Sequence, residues 1–73
     1  MSAAMVRFDL GGGTVIHEAA DRIAVIREAE DVHGAVSSHV WVDGCGQEVI
    51  LPGFTAEQVI DAVSAAEAAR RAA

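Results

Sequence analysis

His39, Asp43 and Cys45 lie within seven residues of one another. A thiol, an imidazole and a carboxylate are the parts of an activated nucleophile. A thiolate mechanism also needs the base in contact with the sulfur and an oxyanion site nearby. Here Asp43-Gly44-Cys45-Gly46 breaks a valine-rich run and reads as a hairpin tip, which provides neither a pocket nor exclusion of water. The expectation is no catalytic residue, with Cys45 incidental. His17, His33, His39 and Cys45 are the residues suited to a soft metal, but no pair has C-x-x-C or H-x-x-x-H spacing. No metal and no cofactor are expected.

A second motif also invites a chemical reading. Asp9-Leu10-Gly11-Gly12-Gly13-Thr14 resembles the phosphate loop of the actin-like and heat-shock-type ATPases, in which a glycine hairpin lets backbone N–H groups approach nucleotide phosphates. The resemblance covers six residues. Where that family carries a further aspartate, two residues after the threonine, this chain has Ile16. Those ATPases also close two large lobes around the nucleotide, which this length does not supply. A tight turn needing positive φ accounts for the glycines.

With 73 residues the chain is expected to form one domain, spanning 1–73. Such a chain buries only about 60% of its unfolded surface, so its core is thin and self-association is a natural way to add stability. The hydrophobic fraction of 52% argues against disorder, although alanine inflates it. The net charge of −6 disfavours direct binding to nucleic acid or to an anionic membrane and suits a basic partner or simple solubility. Most of the acidity lies early. Asp9, Glu18, Asp21, Glu28, Glu30, Asp31, Asp43 and Glu48 face only Arg7, Arg22 and Arg27 within residues 1–53, a net of −5. A single cysteine permits no intrachain disulfide. With no signal-like N-terminus and no run long enough to span a bilayer, the expected location is cytoplasmic.

The elements that must position these residues follow from periodicity. Val6, Phe8 and Leu10 alternate with Arg7 and Asp9, the period of a half-buried strand. Thr14–His17 reads as its hairpin return, Arg22–Ala29 as a third strand, Val36–Val42 as a fourth and Gln47–Leu51 as a fifth. In the last hairpin, Val40 opposite Val49 and Ser38 opposite Leu51 keep one face apolar, whereas a slip of one residue would set Val40 against Glu48. Thr55 is placed to cap a helix, with Gln58 reaching back and Phe54 and Val59 as a hydrophobic staple. Val59, Ile60, Val63 and Ala66 form its apolar stripe, and the alanine-rich tail from Ala68 is expected to fray. The fold class is therefore α+β: an antiparallel sheet of about five strands built from hairpins, with one C-terminal helix packed on one face.

One helix covers one side of such a sheet. If the faces alternate regularly, the other side carries Ile16, Ile26, Trp41 and Ile50, more apolar surface than a solvated face usually shows. Trp41 is the residue to single out, because tryptophan is enriched at binding hot spots.

The order of elements, with Gly44, Glu48-Val49 and Thr55-Ala56-Glu57-Gln58-Val59-Ile60, resembles the small flagellar-regulator (FlbD-type) domains. As a tiny, acidic, alanine-rich chain the protein is also similar to anti-CRISPR proteins. That resemblance implies a stoichiometric inhibitor docking on the basic nucleic-acid channel of a CRISPR effector complex. The leading expectation is a non-catalytic module that presents acidic strands and loops to a basic protein surface. Glu28, Glu30, Asp31, Trp41, Asp43 and Glu48 are its partner-binding residues. The alternative is a regulatory or structural homodimer using the Trp41 face.

Overall fold

The computed structural model describes residues 4–44, 46 and 48–72. Alternation in the first strand is realised in β1 (Met5–Gly11), where Val6 and Phe8 are buried between exposed Met5, Arg7 and Asp9. It pairs antiparallel with β2 (Thr14–Ala19), Phe8 opposite Ile16 and Arg7 opposite His17. The connection is a two-residue loop in which Gly12 and Gly13 have φ of 61° and 84°, the positive values that a type I′ hairpin turn requires. The Asp9 carboxylate accepts the Gly11 N–H at 2.9 Å. The glycine run is thus a turn held by its own aspartate.

A single 3₁₀ turn (Ala20–Arg22) leads into β3 (Ile23–Glu30), which pairs with β4 (Val36–Val42), which in turn pairs with β5 (Glu48–Pro52). The fold class is α+β as expected, but among the described residues the five strands form two antiparallel sheets, β1-β2 and β3-β4-β5, in place of one. The inferred register of the last hairpin is present: Val40 faces Val49 and Ser38 faces Leu51. The inferred pairing of Val42 with Gln47 lies outside the described residues, as does Cys45.

A row of residues across the second sheet grips the start of the helix α1 (Ala56–Ala72). Glu28, Ser38 and Leu51 are successive cross-strand partners on one face. Ser38, wholly buried, donates its hydroxyl to the Phe54 carbonyl at 2.7 Å. Burying a hydroxyl is tolerated because it is bonded. Glu28 Oε1 accepts the Ala56 N–H at 2.9 Å, while the Gly53 N–H donates to the Val36 carbonyl. The anticipated capping box is complete: Thr55 Oγ1 accepts the Gln58 N–H at 3.1 Å, and Gln58 Oε1 accepts the Thr55 N–H at 2.9 Å. Two of the orphan donors of the first turn are therefore satisfied by Glu28 and Thr55. Thr55→Ala is expected to cost about 1 kcal/mol through the lost cap. Adding Glu28→Ala should lower stability further, an order that urea denaturation of the two variants checks.

The helix lies over the inner face of both sheets. Val6, Phe8, Val40, Val42, Leu51 and Val59 are buried, with Ile16, Ile23, Ile26, Val49, Phe54, Ala62, Val63 and Ala66 packed against them. Phe8 and Phe54 meet edge to face with ring centroids 5.6 Å apart, a favoured aromatic geometry. Two expectations about faces need correction. Ile16 and Ile26 belong to the core side: Ile16 pairs with Phe8, and a shift in pairing between Ile23 and Val25 leaves Ile26 opposite Val40. Along the helix, Ile60 is 51% exposed and Ala62 takes the inward place. The helix also runs regularly to Ala72, with no break at Ala68.

Candidate functional site

The face of β3-β4-β5 turned away from the helix is a grid of three rows. Val25, Trp41 and Glu48 are cross-strand partners in the first; Arg27, His39 and Ile50 in the second; Ala29, Ser37 and Pro52 in the third. Side chains alternate across a strand, so the inward packing of Ile26, Val40 and Leu51 sends these neighbours outward. Val25 is 57%, Trp41 39% and Ile50 52% exposed. The bulge at Ala24-Val25 sets two residues against Trp41, and it is what brings Val25 alongside the indole.

Among these apolar groups sits an ionic cluster. The Arg27 guanidinium donates through Nη2 to Glu48 Oε1 at 3.2 Å, and His39 Nδ1 lies 2.9 Å from Glu48 Oε2. A carboxylate only accepts, so the imidazole contributes its proton from Nδ1. Exposed ion pairs of this kind add little to stability. Their effect here is on the character of the face: the Glu48 charge is met within the sheet by Arg27, so the grid carries no net formal charge in a chain of −6.

The six residues expected at a partner surface are not gathered in one place. Trp41 and Glu48 are cross-strand neighbours on the outer grid. Glu28 sits on the opposite, helix-side face and is occupied with the Ala56 N–H. Asp31 organises the β3–β4 loop, accepting the His33 N–H at 2.8 Å and the Ala35 N–H at 2.9 Å on one oxygen. Glu30 stands beside that loop, near Gly34. Asp43 is exposed past the end of β4, its N–H bonded to the Arg22 carbonyl. Reversing Glu28, Glu30 and Asp31 together would thus disturb a helix cap and a loop as well as charge.

The expected hairpin register sets His39 on the face of Trp41, Glu48 and Ile50, whereas Arg27 and Val25 were not among the residues expected there. Their signal in the sequence is the alternation of Arg27 with Ile26 and Glu28, legible only once the bulge is placed.

Among the described residues, no three His, Cys, Asp or Glu side chains are grouped to hold a metal ion. His17 lies opposite Arg7, His33 in the β3–β4 loop and His39 on the grid. A shallow pocket of about 170 Å³ lies between the 3₁₀ turn and the end of α1, lined by Ala4, Ala20, Asp21, Glu67, Arg70 and Arg71. No helix among the described residues is long and apolar enough to cross a membrane. Compared with protein-family models, with curated proteins and with solved structures, the chain matches none.

Proposed function

We propose that this protein acts as a non-catalytic, acidic binding module that docks on a basic protein surface. In its most specific form it is a stoichiometric inhibitor occupying the nucleic-acid channel of a CRISPR effector complex. The observation that carries the reading is the state of the carboxylates. Asp21, Glu30, Asp43, Glu57 and Asp61 are exposed, and their side chains have no hydrogen-bond or ion-pair partner among the described residues. Unpaired surface acids keep their field, which steers a basic partner towards them and raises the association rate. Glu30 and Asp43 are the expected partner-binding residues free for this task, whereas Glu28, Asp31 and Glu48 are engaged within the fold.

The test is binding of a target DNA duplex by a purified CRISPR effector complex, with increasing amounts of this chain. Inhibition that saturates at a fixed ratio of chain to complex is expected. The double variant Glu30→Lys/Asp43→Lys should need more protein for the same effect while retaining the wild-type circular dichroism. Undiminished DNA binding at excess inhibitor would remove the inhibitor reading. Inhibition by trace amounts, growing with time, would point to turnover and remove the non-catalytic one.

A further inference from the structure

We propose that the outer grid of β3-β4-β5 is an interface with a second copy of this chain, giving a symmetric dimer with the helices outermost. The occupant is argued from charge. A two-fold interface sets the same patch against itself, so any net charge on the patch is repeated across it. The grid avoids that repulsion because the charges of Glu48 and Arg27 offset each other within one sheet, at 3.2 Å, while His39 holds the second carboxylate oxygen. Elsewhere the chain is strongly acidic. A basic partner would find its counter-charges on the acidic surfaces and not on this one. A neutral face bearing Trp41, Val25 and Ile50 matches its own copy.

Thin cores in chains of this length gain from such pairing, and sheets stack face to face at about 10 Å through side chains of this kind. The grid comprises nine residues, fewer than the roughly 20–30 a side of a standard interface. Pairing is therefore weak and reversible. Because each subunit carries −6, added salt should strengthen it by screening the repulsion between the two acidic bodies. A basic partner would show the opposite salt dependence.

The experiment needs no partner and is separable from the inhibitor assay. Sedimentation velocity of the full chain is followed up to about 1 mM, where even millimolar affinity is visible. The mass should rise from 7.6 kDa towards twice that value. Emission of Trp41, the single tryptophan, should move to shorter wavelength over the same concentrations. Trp41→Asp and Ile50→Asp should each remain monomeric with wild-type circular dichroism, and Ile60→Asp, on the helix, should still pair. Three results would overturn the proposal: a wild-type monomer at the highest concentration, a dimer whose tryptophan emission does not change, or a dimer that survives Ile50→Asp. The emission measurement on the unmutated chain keeps the test decisive should Trp41→Asp fail to fold.

Discussion

A chain ending at Gly53 should show no cooperative thermal transition. Removing α1 strips the cover from Val40, Val42 and Leu51, and with it Val59, the most buried residue of the core. It also leaves the Ser38 hydroxyl without the Phe54 carbonyl and Glu28 without the Ala56 N–H. The two remaining sheets are a hairpin and a three-stranded sheet, with no strand pairing between them among the described residues. An isolated hairpin is marginal in water at best. The same conclusion follows from one substitution in the full chain. Val59→Asp places an unpaired carboxylate where no water reaches, a penalty large enough to unfold a small domain. Circular dichroism on heating checks both, and a sharp melt like that of the wild type in either would show that the helix is not the lid of the core.

Phe8→Ala is expected to be the most damaging truncation of a single side chain, at about 3–5 kcal/mol for a buried phenylalanine. Phe8 stands on β1, its ring meets Phe54 at the entrance to α1, and both belong to the cluster that includes Val40, Val42 and Leu51 from the other sheet. One ring therefore ties the hairpin to the three-stranded sheet and the helix. Domains of this kind hold only about 5–15 kcal/mol in all. The variant should lose a large share of that in chemical denaturation. Phe8→Leu, which keeps most of the volume, should lose much less; equal losses would mean the site collapses around either change.

Much of this fold is legible in the sequence because local signals agree. Thr55 and Gln58 sit three residues apart and form the capping box they suggest. Val40, Val49, Ser38 and Leu51 admit one register that keeps a charge out of the core, and that register is present. What escapes is whatever depends on a break in period. Two residues opposite Trp41 at the β3 bulge turn Ile26 inward and bring Arg27 level with His39. Strict alternation cannot reveal that change. The division of five strands into two sheets is a tertiary outcome, and it is why Ile16 joins Phe8 in the core. The acids were misleading in a different way. Glu28 and Asp31 read as surface charge, yet each serves as a hydrogen-bond acceptor for backbone N–H groups, a role of carboxylates that composition does not show.

The proposed docking sets the acidic surfaces, and not the neutral Trp41 grid, against a basic partner. Surface plasmon resonance against an immobilised CRISPR effector complex, at several salt concentrations, tests it most directly. With a Debye length of about 8 Å at physiological ionic strength, the proposed contacts of Glu30 and Asp43 should be screened as salt rises. Association should slow steeply with salt, Glu30→Lys/Asp43→Lys should flatten that dependence, and nucleic acid should compete. Binding that salt does not weaken and that the double variant leaves unchanged would contradict the claim.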